Sequence, residues 1–110
     1  MSANWQDAWR ASDPQEQDLL LYLLYMEPPA SLDDLSVLGG IPAVRILHLM
    51  ERLRRKKLVR ETKEYGKGFY FLDDREAVLR AEDRLPAEPR SRVLRAVFEF
   101  YRGTLNEGLD

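Results

Sequence analysis

The sequence predicts a mainly α-helical domain with one small antiparallel β hairpin. First, Ile46, Met50 and Leu53 recur at i, i+4 and i+7, the spacing of one buried helix face. Second, Gly39-Gly40 ends a shorter preceding helix, because glycine enters positive φ without steric cost. Third, residues 65–68 contain two glycines suited to a hairpin loop between two strands, and in the second strand Tyr70 alternates with Phe69 and Phe71.

The central segment, Ser31 to Phe71, is predicted to fold as helix, tight turn, helix and two-stranded ribbon. Ser31 is a suitable N-cap, and Asp34 is an acid suited to the first turn of the first helix. Ile41 fills the turn, and Pro42 begins the second helix, where its missing N–H breaks no hydrogen bond. The ribbon is predicted to have strands at residues 59–64 and 68–72 and a loop at residues 65–68.

Two helices are predicted before this segment. Trp5 and Trp9 stand four residues apart, which we interpret as a short helix that lays both indoles on the core. The alternative is an exposed aromatic patch for a partner or a second copy. Pro14 begins a largely apolar helix that runs to about Glu27, and we expect it to be the central buried helix. Pro28-Pro29 ends it.

Two further helices are predicted after the ribbon, one capped by Asp73-Asp74 and one opened by Pro89. The apolar stripe of the last helix consists of Val93, Leu94, Val97, Phe98, Tyr101 and Leu105. This stripe is expected to pack on the domain itself or on a second copy, which leaves a homodimer through the C-terminal helix open. The expected division is a domain at residues 1–85 and, at 86–110, a helix that packs on it or leads to a following domain.

Composition and motifs argue against several functional classes. The 110 residues contain no cysteine, and His48 is the single histidine, so a Cys/His zinc site is excluded. No Gly-x-Ser-x-Gly motif occurs, and capping explains the paired acids, so we expect no enzyme and no cofactor. The apolar run Leu19 to Met26 is too short to span a bilayer, and residues 1–10 lack the form of a signal peptide. A cytoplasmic location without membrane contact is therefore expected.

Charge is distributed unevenly along the chain. Between Ile41 and Gly68 there are nine basic and three acidic residues, a local charge of +6, although the whole chain carries −2. Such a concentration of positive charge bears on the choice of partner more than the total does. The Gly-Lys-Gly of the ribbon loop lacks the P-loop pattern and stands between strands, which argues against nucleotide binding there.

The order of these elements resembles the winged helix-turn-helix family, in which the ribbon is called the wing. The resemblance is carried by Leu35, Gly40, Ile41, Ile46, Met50, Leu53, Leu58 and Val59. It implies a minimal first strand after Pro28-Pro29. Lys57 stands where the family usually has glycine, which leaves open a different exit from the second helix.

In DNA-binding members of this family the second helix enters the major groove, and the wing reaches a phosphate or the minor groove. The outward face of that helix carries Val44, Arg45, His48, Arg52 and Arg55. The resemblance thus implies contacts from Arg45 and His48 to base edges. For phosphates it implies Arg52, Arg55, Lys63 and Lys67. The favoured function is a DNA-binding module for double-stranded DNA in transcriptional regulation.

A second resemblance favours a different partner. Gly68 to Phe71 and residues 75–78, 85–86 and 92–95 resemble the segment after the winged helix in multidomain signal-transduction ATPases and tetratricopeptide-repeat regulators. It implies a winged helix that docks on another protein domain. Val44 and Leu47, flanked by Leu49, are predicted to be exposed and suit a protein interface better than a DNA groove. Docking through Val44, Leu47 and the basic face, in a larger signalling regulator, is therefore the alternative function.

Overall fold

A computed structural model describes residues 5–109 of the protein, with side chains described for residues 5–103. Over that range six helices surround a small antiparallel sheet, which confirms the predicted mainly α fold with a hairpin. The elements are α1 (Trp5–Arg10), α2 (Pro14–Tyr25), β1 (Ala30–Ser31), α3 (Leu32–Gly39), α4 (Ala43–Arg55), β2 (Val59–Glu64), β3 (Lys67–Leu72), α5 (Arg75–Arg80), a 3-10 turn (Glu82–Arg84) and α6 (Ala87–Leu109).

Helix α2 forms the centre of the core, as predicted. All six residues from Leu19 to Leu24 are buried, so the helix is covered on nearly every side. Its start is fixed by a capping box: Asp13 Oδ1 accepts from Glu16 N at 2.9 Å, and Glu16 Oε1 accepts from Asp13 N at 3.1 Å. The helix ends at Tyr25, two residues before the predicted limit at Glu27.

The helix-turn-helix forms where the sequence predicts it. Ser31 Oγ accepts from Asp34 N at 3.0 Å and caps α3, and Gly40 ends α3 with φ of 60°. Pro42 is the N-cap of α4, whose first helical residue is Ala43. The inward side of α4 is completely buried and consists of Ile46, Leu49, Met50 and Leu53.

The exit from α4 has the conformation that glycine gives in related domains. Lys57 takes φ of 63°, so a left-handed residue follows the helix although no glycine is present. Lys57 N donates to Arg54 O at 3.0 Å, and Leu58 N donates to Leu53 O at 3.1 Å. The chain therefore turns directly into β2, with Lys57 in a backbone conformation that usually favours glycine.

The sheet has the strand order β1-β3-β2, and its first strand is the minimal one that the resemblance implied. Strands β2 and β3 pair from Val59 opposite Leu72 to Glu64 opposite Lys67. Only Tyr65 and Gly66 remain in the turn, with φ of 53° and 79°, the signs of a type I′ turn. The loop is thus shorter than the predicted residues 65–68, because Lys67 and the residue after it join the ladder.

The helices at the two ends pack on this domain. On α1, Trp9 is buried and Trp5 half-buried, in agreement with the core interpretation of the two indoles. On α6, Val93 and Val97 are buried, and Tyr101 Oη accepts from the backbone N–H of Glu27 at 2.9 Å.

Two further residues of the predicted α6 stripe face solvent. Leu94 and Phe98 are 49% and 62% exposed. Each follows a buried valine by one residue, so its side chain lies on a different side of the helix. The side chain of Leu105 lies outside the described residues. The division of the chain at residues 85 and 86 remains a prediction.

Candidate nucleic-acid interface

The outward face of α4 is open to solvent. Val44, Arg45, Leu47 and His48 are exposed in its N-terminal half, and Arg52 and Arg55 are exposed in its C-terminal half. The expectation that Leu49 also lies at this surface is wrong. Leu49 is fully buried because it stands three residues after Ile46 and shares its face.

Arg52 is held against α2 by two carboxylates. Its Nη2 lies 3.2 Å from Glu16 Oε1, and its Nη1 lies 3.5 Å from Asp13 Oδ2. The other Glu16 oxygen, Oε2, lies 3.3 Å from Lys56 Nζ, which also donates to Ser12 Oγ at 3.1 Å. We call this group, Asp13, Glu16, Arg52 and Lys56, the α2–α4 clamp.

Glu16 is the centre of the clamp and is fully buried. A buried carboxylate is stable only with partners, and Glu16 has two cations and the N–H of Asp13. Sequence reasoning missed this role. The Asp-x-x-Glu capping box is visible in the sequence, but the cations that reach Glu16 lie 36 and 40 residues further on.

The clamp also affects the titration of Asp13. The backbone N–H of Glu16 donates to the Asp13 carboxylate and is the main cause that lowers its pKa, and the nearby Arg52 guanidinium lowers it further. Partial burial opposes this shift. The ionised form of Asp13 is therefore favoured by folding.

Arg54, near the C-terminal end of α4, is paired with carboxylates of α4 and of the wing. Arg54 Nη1 lies 3.1 Å from Glu51 Oε1 and 3.8 Å from Glu61 Oε1. Glu61 stands opposite the buried Tyr70, and burial, followed by the hydrogen bond to Glu61, raises the pKa of Tyr70 to about 12. Glu61 therefore faces both a cation and a neutral phenol. The guanidinium of Arg54 is engaged by carboxylates of this domain.

Arg45 is positioned without being neutralised. Its Nε and Nη2 donate to Gln15 Oε1 at 3.3 and 3.2 Å. Since an amide carries no charge, the guanidinium keeps its full positive charge and three further N–H donors. The N-terminal half of α4 thus presents an oriented arginine beside the exposed side chains of Val44 and His48.

A second group of cations is unpaired. Among the described residues no carboxylate lies within ion-pair distance of Arg55, Lys57, Lys63 or Lys67. In the backbone ladder Lys63 stands opposite Gly68 and Lys67 stands opposite Glu64. The two lysines therefore lie on opposite faces of the ribbon. The α4 residues of the predicted site thus share one exposed side of that helix, and its two lysines lie on the wing.

The architecture has counterparts among solved structures. A structure of reduced AbfR bound to DNA matches with a TM-score of 0.56 and 15% sequence identity, over 94% of this chain and 78% of that chain. With the helix-turn-helix and the wing described above, this match shows that the chain has a winged-helix fold. A scan against protein-family models finds no match, and a search of curated proteins finds none.

The described part of the chain contains no helix that is long and apolar enough to cross a membrane. Nor do its histidine and carboxylate side chains form a group that could hold a metal ion.

Proposed function

We propose that the protein is a non-catalytic transcriptional regulator that binds double-stranded DNA through the outward face of α4 and the wing. One observation carries this proposal: within the part of the chain that the structure describes, no carboxylate lies within ion-pair distance of Arg45 and Arg55 on α4 or of Lys63 and Lys67 on the wing. Unneutralised cations on an exposed helix and an adjoining ribbon suit the phosphates of a duplex. The likeness to the DNA-bound AbfR structure supports the same partner. A cytoplasmic location belongs to this proposal.

The proposed contacts follow from where each side chain lies. Arg45 and His48, next to Val44, would face base edges in the major groove. Arg55, Lys63 and Lys67 would face phosphates. Arg52 is also proposed to contact a phosphate, because its side chain is 48% exposed and a guanidinium has five N–H donors to share with the clamp.

A second candidate function is docking on another protein domain. It is favoured by two exposed apolar side chains on the same face, Val44 at 68% and Leu47 at 41%. On this alternative the domain at residues 1–85 is a module of a larger signalling regulator, and residues 86–110 lead to its next domain. The exposed Leu94 and Phe98 of α6 are the part of that helix that a homodimer would use.

The first test measures how duplex affinity depends on salt. Fluorescence anisotropy against mixed-sequence duplex at several salt concentrations gives a slope set by the number of phosphates contacted. Arg55→Ala and Lys67→Ala should each weaken binding to all duplexes and flatten the slope by about one. Arg95→Ala is the matched control. Arg95 is exposed on α6, so its removal changes the net charge equally and should leave the slope unchanged.

The second test separates sequence recognition from docking. Arg45→Ala should relax sequence preference by about 1–3 kcal/mol if the guanidinium makes a bidentate contact to guanine. If selected and random duplexes both bind at about 10⁻⁴–10⁻⁶ M, and Arg45→Ala changes nothing, specific recognition is refuted. Loss of a protein complex on Val44→Asp or Leu47→Asp, with unchanged weak duplex binding, would establish docking instead.

A further inference from the structure

The side chains of the core leave a cavity between α1, α2, α5 and the base of the wing. Its volume is about 60 Å³, whereas a single water molecule needs only about 10–15 Å³. Voids of more than one water are few in well-packed interiors. The apolar part of its wall consists of Trp5, Trp9, Leu20, Leu21, Leu24, Leu58, Leu72, Ala77, Val78 and Leu85. This wall suits an apolar group, because it offers no hydrogen-bond partners.

Three charged residues, Lys57, Asp73 and Asp74, line the same cavity. No carboxylate among the described residues lies within ion-pair distance of Lys57, so its ammonium pairs with neither aspartate. Asp73 Oδ1 lies 3.8 Å from Arg60 Nε, and Asp74 Oδ1 accepts from Ala77 N at 3.2 Å. Each carboxylate has about four acceptor positions, so both can take a further donor.

The size of the cavity limits the apolar group that it can accept. An apolar cavity of about 150 Å³ accepts a benzene ring. The volume of about 60 Å³ is much smaller and fits a short aliphatic chain better than an aromatic ring. A plain hydrocarbon would leave the three charged residues unused, and a simple carboxylate would pair with Lys57 and be repelled by Asp73 and Asp74.

We propose that this cavity binds an α-amino acid with an aliphatic side chain, such as leucine. The side chain enters the apolar cavity. The α-carboxylate pairs with Lys57, and the α-ammonium donates to the carboxylates of Asp73 and Asp74. A zwitterion is the ligand chemistry that uses the cation, the two anions and the apolar wall together. This site goes beyond the proposed function and does not depend on it.

The position of the cavity connects it to the elements proposed to bind DNA. Lys57 and Leu58 lie between α4 and the wing, and Leu72 is the last residue of the wing. Asp73 N donates to Leu58 O at 3.0 Å, which joins the two ends of the wing beside the cavity. A ligand that pairs with Lys57 and Asp73 therefore acts on the segment between α4 and the wing. Leucine should change duplex affinity by about fivefold or more, and this part of the inference rests on the proposed function.

Tryptophan fluorescence is a direct readout of binding, because the two tryptophans of the chain, Trp5 and Trp9, both line the cavity. Titration with L-leucine should change the emission in a saturable way and raise the thermal unfolding midpoint. Two analogues test the charged contacts: 4-methylpentanoate lacks the ammonium, and 3-methylbutylamine lacks the carboxylate. Each should bind about tenfold more weakly, the effect of one lost charge-assisted hydrogen bond. L-phenylalanine should bind more weakly than leucine because of its ring.

Two variants test the location of the site. Ala77→Leu places a larger side chain at the wall of the cavity and should abolish the leucine response. Lys57→Met keeps the apolar stem, removes the ammonium and should weaken leucine binding about tenfold. It also serves as an independent test if Ala77→Leu does not fold. Ala87→Leu is the matched control, since Ala87 is exposed on α6 and outside the cavity, and it should bind leucine as the wild type does.

The outcomes separate this inference from the proposed function. If millimolar leucine changes neither the emission nor the midpoint, or if Ala77→Leu and Lys57→Met both bind it as the wild type does, the site is overturned whatever the protein does with DNA. Equal affinity for leucine and its two analogues would overturn the assignment of an amino acid. If leucine binds but duplex affinity stays the same, only the connection to DNA is overturned. If the wild type binds no duplex above the generic weak level, the proposed function fails, and the fluorescence titration still decides on the site.

Discussion

The two halves of α4 carry their cations in different ways. In the C-terminal half, Arg52, Arg54 and the following Lys56 face carboxylates from α2, from α4 itself and from β2. In the N-terminal half, Arg45 is oriented by a neutral amide and lies beside exposed apolar side chains. Most cations of the C-terminal half are engaged by carboxylates of the domain, with Arg55 as the exception, and the N-terminal half presents both charge and apolar surface.

This difference changes the meaning of the local charge of +6 between Ile41 and Gly68. Asp13 and Glu16, which neutralise the C-terminal half, come from α2 and lie outside that segment of the sequence. A count along the chain therefore overstates the charge that is free to meet phosphates. On the wing, Lys63 and Lys67 are unpaired among the described residues, although Glu61 and Glu64 lower the net charge of the same ribbon.

The largest expected effect is the loss of the carboxylate at the centre of the clamp. Glu16→Ala should lower the free energy of unfolding by about 2–3 kcal/mol, below the usual cost of breaking a buried pair because Arg52 and Lys56 can still reach water. Glu51→Ala, which removes an exposed i,i+3 partner of Arg54, should cost less than about 0.5 kcal/mol. Urea denaturation of the two variants measures the difference.

Glu16→Gln separates charge from shape in this test. It keeps the side-chain volume and an acceptor for the N–H of Asp13, and it removes the negative charge that faces two cations. We expect a loss between those of Glu16→Ala and Glu51→Ala. Equal stability of Glu16→Gln and the wild type would show that the negative charge of Glu16 does not contribute to the stability of the clamp.

A smaller effect is expected when cations of the two kinds are compared. Arg52→Ala leaves the buried Glu16 with Lys56 alone and should lower the free energy of unfolding by about 1–2 kcal/mol. Arg55→Ala, one helical turn later and without an ion pair among the described residues, should stay within about 0.5 kcal/mol of the wild type. Chemical denaturation decides between them, and equal losses would remove the distinction between paired and free cations.

Local signals explain how much of this fold was predictable. Ser31, Gly40 and the i, i+4, i+7 spacing of α4 act within a few residues, so helices and turns could be located from the sequence. Contacts between distant residues could not be located this way. Glu16 and Lys56, which form an ion pair, are 40 residues apart in the sequence, and neither hydrophobic periodicity nor a helix cap predicts this contact. The proposed DNA contacts stay predictions, because exposure places a side chain at the surface without identifying its partner.

A pH series tests the clamp through Asp13, whose pKa is lowered by the Glu16 N–H and by Arg52. A carboxylate with a lowered folded-state pKa stabilises the protein above the unfolded value of about 3.9, and this contribution disappears as pH falls through the folded value. Asp13→Asn keeps an N-cap acceptor and cannot titrate. The wild type should be more stable than this variant near neutral pH, and the difference should shrink as pH falls through the folded-state pKa of Asp13. A difference that does not change with pH would contradict the role of the charge.

The smallest effect is expected at Lys57, just after the C-terminal end of α4. Lys57 holds φ of 63°, which costs an L-residue about 1–2 kcal/mol, and glycine would avoid that cost while losing about 0.5–1 kcal/mol in backbone entropy. Lys57→Gly should therefore raise the free energy of unfolding by about 0.5 kcal/mol, whereas Lys57→Ala keeps the strained conformation and should give no gain. Equal destabilisation by both substitutions would show that the lysine stem stabilises its surroundings and that strain is not the dominant effect. The anisotropy titration also tests whether Lys57 contacts DNA. An unchanged salt slope for Lys57→Gly would show that Lys57 makes no phosphate contact. A slope flattened by about one would add Lys57 to the cations that contact DNA.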